Sequence, residues 1–151
     1  MLLFGGCSDP TPFSVAPVSA EDTFTTLITT PVPEGVKNLH GGSVNWQGYR
    51  AYLVFSIDAS FLEFIQDRNL VELSGDSAEL EAKEEFQPDE DVFREIPILK
   101  KIWIPEQVEA PLIYRTQGGR LSLKNDWTHS GEEMFLIDRK NMTVYYKSNG
   151  A

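Results

Sequence analysis

Between residues 50 and 57 the chain alternates, with Ala51, Leu53, Phe55 and Ile57 on one side and Arg50, Tyr52, Val54 and Ser56 on the other. Apolar side chains at period two mark a strand, and the mixed second set predicts partial cover on both faces. Asp58-Ala59 then turns the chain into a helix. Ser60 and Glu63 have capping-box spacing, in which the hydroxyl accepts from an early backbone N–H and the glutamate reaches back. Phe61, Leu62, Phe64, Ile65 and Leu70 follow at helical spacing, so this helix should pack on the sheet and stop near Asn69.

Beyond residue 97 the pattern is β-rich, with strands predicted at 101–104, 112–116, 121–123, 134–138 and 142–147. The last two form a hairpin around Asp138-Arg139-Lys140-Asn141, with Asn141 suited to a left-handed position. Gly41-Gly42 and Gly118-Gly119 read as tight turns. The expected fold is α+β: an antiparallel sheet, one main helix packed on one face, and a C-terminal β-meander closing on a hairpin. Two stretches admit two readings each. Residues 23–28, rich in Thr and carrying Phe24, Leu27 and Ile28, suit an early strand or part of a tether. Residues 74–91 suit a helix starting at Asp76-Ser77-Ala78-Glu79, with Leu80, Ala82 and Phe86 as its apolar contacts, or a mobile acidic loop.

Composition sharpens this picture. The 151 residues, 41% hydrophobic and 11% aromatic, are enough for one domain with a proper core. Proline and threonine dominate residues 8–33, which reads as a tether, and the folded domain is expected over 34–151. The formal net charge of −10 is local. Residues 72–95 hold ten acids against Lys83 and Arg94, a net of −8, and the rest of the chain sums to −2. Such a balance argues against nucleic acid and against docking on anionic lipid through a basic face. A charged partner should therefore be a basic protein, met through Glu84, Glu85, Asp89 and Asp91. Trp103 and Trp127, each flanked by loop sequence, are the candidate aromatic anchors.

The sequence assigns no catalytic, cofactor or metal residue. The two histidines are His40, before Gly41-Gly42-Ser43, and His129, before Ser130, and neither lies in a nucleophile-elbow pattern. Paired cysteines and His-x-x-x-His are missing, and Asp89-Glu90-Asp91 lacks the glycine and distal glutamate of a calcium loop. The alternative to a binding module is a small envelope hydrolase using a carboxylate or His129.

Cys7 is the only cysteine, which rules out an internal disulfide. Its context, Met1-Leu2-Leu3-Phe4-Gly5-Gly6-Cys7, resembles the lipobox of bacterial lipoproteins, where small residues admit the extended backbone to a peptidase and the thiol carries the lipid. Residues 1–7 are then the short remnant of a signal peptide, since only six residues precede Cys7 and none is basic. A proline-led entry at Val32-Pro33-Glu34-Gly35-Val36-Lys37-Asn38 precedes Trp46-Gln47-Gly48-Tyr49 and the 50–57 strand. With Phe64-Ile65, Trp103, Tyr114, Ile137-Asp138 and Tyr145-Tyr146, this looks like a family of uncharacterised bacterial secreted lipoproteins. The resemblance implies an extracytoplasmic protein held to a membrane by lipid and transfers no active-site residue. Without the lipid on Cys7 the expected location is cytoplasmic.

Overall fold

The structure, a computed structural model, describes residues 16–45, 48–117 and 131–150. Cys7, Trp46, Gly118-Gly119, the 121–123 strand, Trp127 and His129 lie outside the described residues. Six strands form one sheet: β1 (Lys37–Asn45), β2 (Tyr49–Ser56), β3 (Val71–Leu73), β4 (Leu112–Arg115), β5 (Gly131–Asp138) and β6 (Thr143–Gly150). Their order is β1-β2-β6-β5-β4-β3, antiparallel at every pairing. The fold is α+β, with the C-terminal strands β5 and β6 at the centre of the sheet.

Helices cover both faces, where one main helix on one face was expected. On the first face lie α1 (Ala20–Leu27) and α2 (Ala59–Gln66), whose Phe24, Phe61 and Ile65 pack on Leu53, Phe55, Phe135 and Tyr146. On the second lie α3 (Gly75–Glu85), α4 (Glu90–Glu95), α5 (Leu99–Ile102) and a 3-10 turn at Pro105–Gln107. Their side chains meet Tyr52, Val54, Met134, Leu136 and Tyr145. A sheet buried on both faces needs apolar side chains at consecutive positions. That is why Met134 to Ile137 form an unbroken apolar run, alternating between the two cores, and why Tyr52 and Val54 are buried as well as Leu53 and Phe55.

Several expectations need correction. Residues 20–27 form α1, neither strand nor tether. Ser19 accepts from the Asp22 N–H at the helix start, and Phe24 is fully buried, edge-on to Phe55 with ring centroids 5.4 Å apart. The folded unit therefore begins before residue 34, with Val18 already bonded to Ser43 of β1. Asp58, not Ser60, caps α2: its Oδ1 accepts from the Phe61 N–H at 2.9 Å, and the helix ends at Gln66. Residues 101–104 are not a strand. Leu99, buried, and Trp103 are held in the turn of α5, with the Trp103 N–H bonded to the Leu99 carbonyl.

Gly41-Gly42 is strand, not turn. A Cβ on Gly41 would meet the Tyr52 carbonyl oxygen at 2.1 Å, and one on Gly42 would meet that of Val18 at 2.3 Å. Glycine is needed there so that backbones can approach from both sides of β1. In the final hairpin the left-handed residue is Met142 (φ 50°), one beyond Asn141. The Asp138 carboxylate accepts from the Lys140 and Asn141 N–H groups and from the Asn141 side chain, which holds the turn closed.

Candidate functional site

The acidic segment is folded over most of its length. α3 presents Ala78, Ala82 and Phe86 inward at i, i+4 and i+8, so the buried stripe is real but narrow. Leu80, expected inside with them, is 55% exposed, because a residue two positions from Ala78 falls on the opposite side of the helix. The four candidate acids divide. Asp89 is structural: its carboxylate caps α4, accepting from the Asp91 and Val92 N–H groups, and pairs with Arg50 at 2.8 Å. Asp91 faces Arg94 on the same helix at 3.5 Å. Glu84 is exposed and Glu85 half-buried, both in the last turn of α3.

That last turn is electrostatically wrong for acids. Unpaired carbonyls give the end of a helix partial negative charge, so glutamates there oppose the helix dipole. Lys147 of β6 partly relieves this end by donating to the Glu85 carbonyl oxygen, but the Glu84 and Glu85 carboxylates have no ion pair among the described residues. Glu81, on the inner side, lies 3.2 Å from Arg115. Burial still raises its carboxyl above the usual value, with Arg115 opposing and Glu85, Glu132 and Glu84 adding to the rise.

Beside α3 is a groove of about 610 Å³ between this helix and residues 105–111. Ala82 and Phe86 line it from the helix side, with Pro105, Val108 and Pro111 opposite. Glu79, Glu106 and Glu109, all exposed, bring negative charge to it, and Lys83 is the one cation among its lining residues. Ala110 in the same wall takes a left-handed backbone (φ 48°), a conformation L-residues adopt at a cost.

Trp103 is a core residue rather than a surface anchor. It stacks on Phe86 with centroids 6.1 Å apart, meets Tyr52, Phe93 and Tyr145 edge-on, and donates its Nε1–H to the Phe86 carbonyl at 2.9 Å. The sheet's second face ties the groove-lining Phe86 in place through this ring.

Other polar clusters are internal. Glu133, 2% exposed, takes both nitrogens of the Arg68 fork at 2.7–3.0 Å and the Tyr146 hydroxyl at 2.9 Å. Arg68 also donates to the Ile28 carbonyl and lies over the Phe64 and Phe135 rings. Every acceptor of this buried carboxylate is therefore directed at a donor, and burial next to it pushes the Tyr146 phenol well above its usual value. Tyr114 donates to Glu72 at 2.8 Å and accepts from Gln66. His40 is exposed on β1, and the neighbouring Ser43 hydroxyl is engaged with Thr23 at 2.9 Å. No group of three or more His, Cys, Asp or Glu poised for a metal ion occurs among the described residues, and none of their helices is long and apolar enough to cross a membrane.

Comparison with protein-family models, with curated proteins and with solved structures found no match to the chain. The groove escaped the sequence reading because its walls come from two segments about twenty residues apart. The signal that marks it is the pair of acids between two prolines, Pro105-Glu106-Gln107-Val108-Glu109-Ala110-Pro111.

Proposed function

We propose that the chain is a non-catalytic binding module of the bacterial cell envelope, tethered through a lipid on Cys7, that captures a basic protein partner through α3 and the adjoining groove. The observation that carries the binding reading is the placement of Glu84 and Glu85. They occupy the end of α3 where their charge is locally unfavourable, beside a groove whose own exposed acids are Glu79, Glu106 and Glu109. Sequences break local rules chiefly where function requires it. Asp76, Glu79, Glu84, Glu90 and Glu95 have no ion pair among the described residues and are exposed, so a cationic surface meets charge that the fold does not consume. The envelope location is supported by the lipobox-like run ending at Cys7 and by the resemblance to secreted lipoproteins.

Two experiments test this reading. The full-length gene, expressed with labelled palmitate, should give a labelled protein that Cys7→Ser abolishes; an unlabelled wild-type protein would remove the tether from the proposal. Pull-down from the native envelope should recover a basic partner whose binding weakens steeply with salt. Glu84→Lys with Glu90→Lys should weaken it further. Asp89 is left out of this set, because reversing it would uncap α4 and break the Arg50 pair. Unchanged affinity in the double variant would overturn the acidic-surface reading.

A further inference from the structure

The volume, lining and charge of the groove define an occupant more narrowly than a basic surface does. We infer that the groove between α3 and residues 105–111 receives a single arginine or lysine of the partner, carried on an extended segment with apolar neighbours rather than in a polybasic run. This rests on the reading of the acidic surface as the partner-binding side.

About 610 Å³ is within the range of pockets that hold a compact ligand, and it suits a few residues of extended peptide. Ala82, Phe86, Pro105, Val108 and Pro111 provide apolar walls, against which the alkyl stem of arginine or lysine is buried while its charged head stays near water. Glu79, Glu106 and Glu109 are exposed acids of the same lining, so the head meets solvent-accessible carboxylates. Three acids against the single Lys83 in the lining favour a cation over a phosphate or carboxylate. Lys83 sets the limit on number. It lies one helical turn beyond Glu79 within the lining and repels a second cation placed beside the first.

The test is amide chemical-shift mapping on the full chain with three blocked tetrapeptides as probes. One has a single arginine between leucine and proline, one replaces that arginine by norleucine, and one is a run of lysines. The arginine peptide should shift the amides of Lys83, Gln87, Val108 and Glu109. It should bind about fivefold more tightly than the norleucine peptide, and Glu106→Gln with Glu109→Gln should remove that advantage. Glu63→Gln, exposed on α2 across the sheet, should leave it unchanged. Equal binding of the norleucine peptide, or an advantage that survives the double variant, overturns the inference. If the lysine run perturbs α4 and the amide of Glu84 while the arginine peptide leaves the groove untouched, the groove assignment fails and the acidic-surface reading stands. If no cationic probe perturbs any residue between 72 and 111, both fail.

Discussion

The two helical layers are built on different terms. In the first, local chemistry and tertiary packing agree: Ser19 and Asp58 cap α1 and α2, Glu21 and Asp22 lie in the favourable first turn of α1, and Phe24 and Phe61 fill the core. In the second, α3 starts at a Ser74 that makes no side-chain cap, ends on acids that oppose its dipole, and holds to the sheet by Ala78, Ala82 and Phe86. The contrast teaches where stability was sought and where it was given up. α4 in the same layer is capped by Asp89, so the unmet preferences belong to α3, the helix that forms the groove.

The comparison can be broken most severely at its aromatic centres. Phe24→Ala and Trp103→Ala should each cost about 3–5 kcal/mol, the usual toll of deleting a buried aromatic side chain. Denaturant unfolding measures both. A silent Phe24→Ala would show that α1 is not part of the stable unit. Next is the polar lock beneath the first layer. Arg68→Met leaves Glu133 buried without its counter-charge and should lose about 3 kcal/mol or more, whereas a loss under about 1 kcal/mol would mean that the carboxylate is not confined as the structure has it.

Smaller effects test the caps. Asp58→Ala should cost about 1 kcal/mol, while Ser74→Ala should stay within about 0.5 kcal/mol because no cap bond is lost. Similar losses at both positions would erase the difference between the layers. Glu84→Lys should run the other way, gaining about 0.3–1 kcal/mol by matching the helix dipole while weakening partner binding. Thermal melts alongside the pull-down assay read the two effects separately, and a variant that loses both would reduce Glu84 to a structural residue.

The smallest effect is a pH dependence at Glu81. Burial raises its carboxyl above the usual value, against the pull of Arg115, so the folded state holds that proton more tightly than the unfolded chain. The stabilising contribution of the protonated form is complete below the unfolded pKa and is lost as pH rises through the folded one. Glu81→Gln should therefore raise the melting temperature slightly at pH 7, and the gain should disappear as the pH falls through the carboxylate range. A gain that is the same at both pH values would assign the effect to packing.

Some of this was legible in advance. The 50–57 strand, the helix after Asp58 and the final hairpin were read from alternation, helical spacing and turn residues, all local signals that survive in the tertiary context. Residues 20–27 were not, because Thr and Phe favour strands in isolation, and a buried Phe24 against Phe55 outweighs that preference. Trp103 looked like an anchor between loops. It is the centre of a ring cluster because α5 folds back onto the second face.

Pattern and composition alone established the α+β class, the C-terminal β-hairpin, and an acidity confined to 72–95, since these depend on periodicity and on counts along the chain. Which acids are spent within the fold and which face solvent depends on Arg50, Arg94 and Arg115, brought beside Asp89, Asp91 and Glu81 by strand pairing and helix turns. The groove likewise exists only where α3 and residues 105–111 are packed side by side. Apart from the local Asp91–Arg94 pair, both are matters of long-range proximity, which a pattern with a period of two or three and a half residues does not encode.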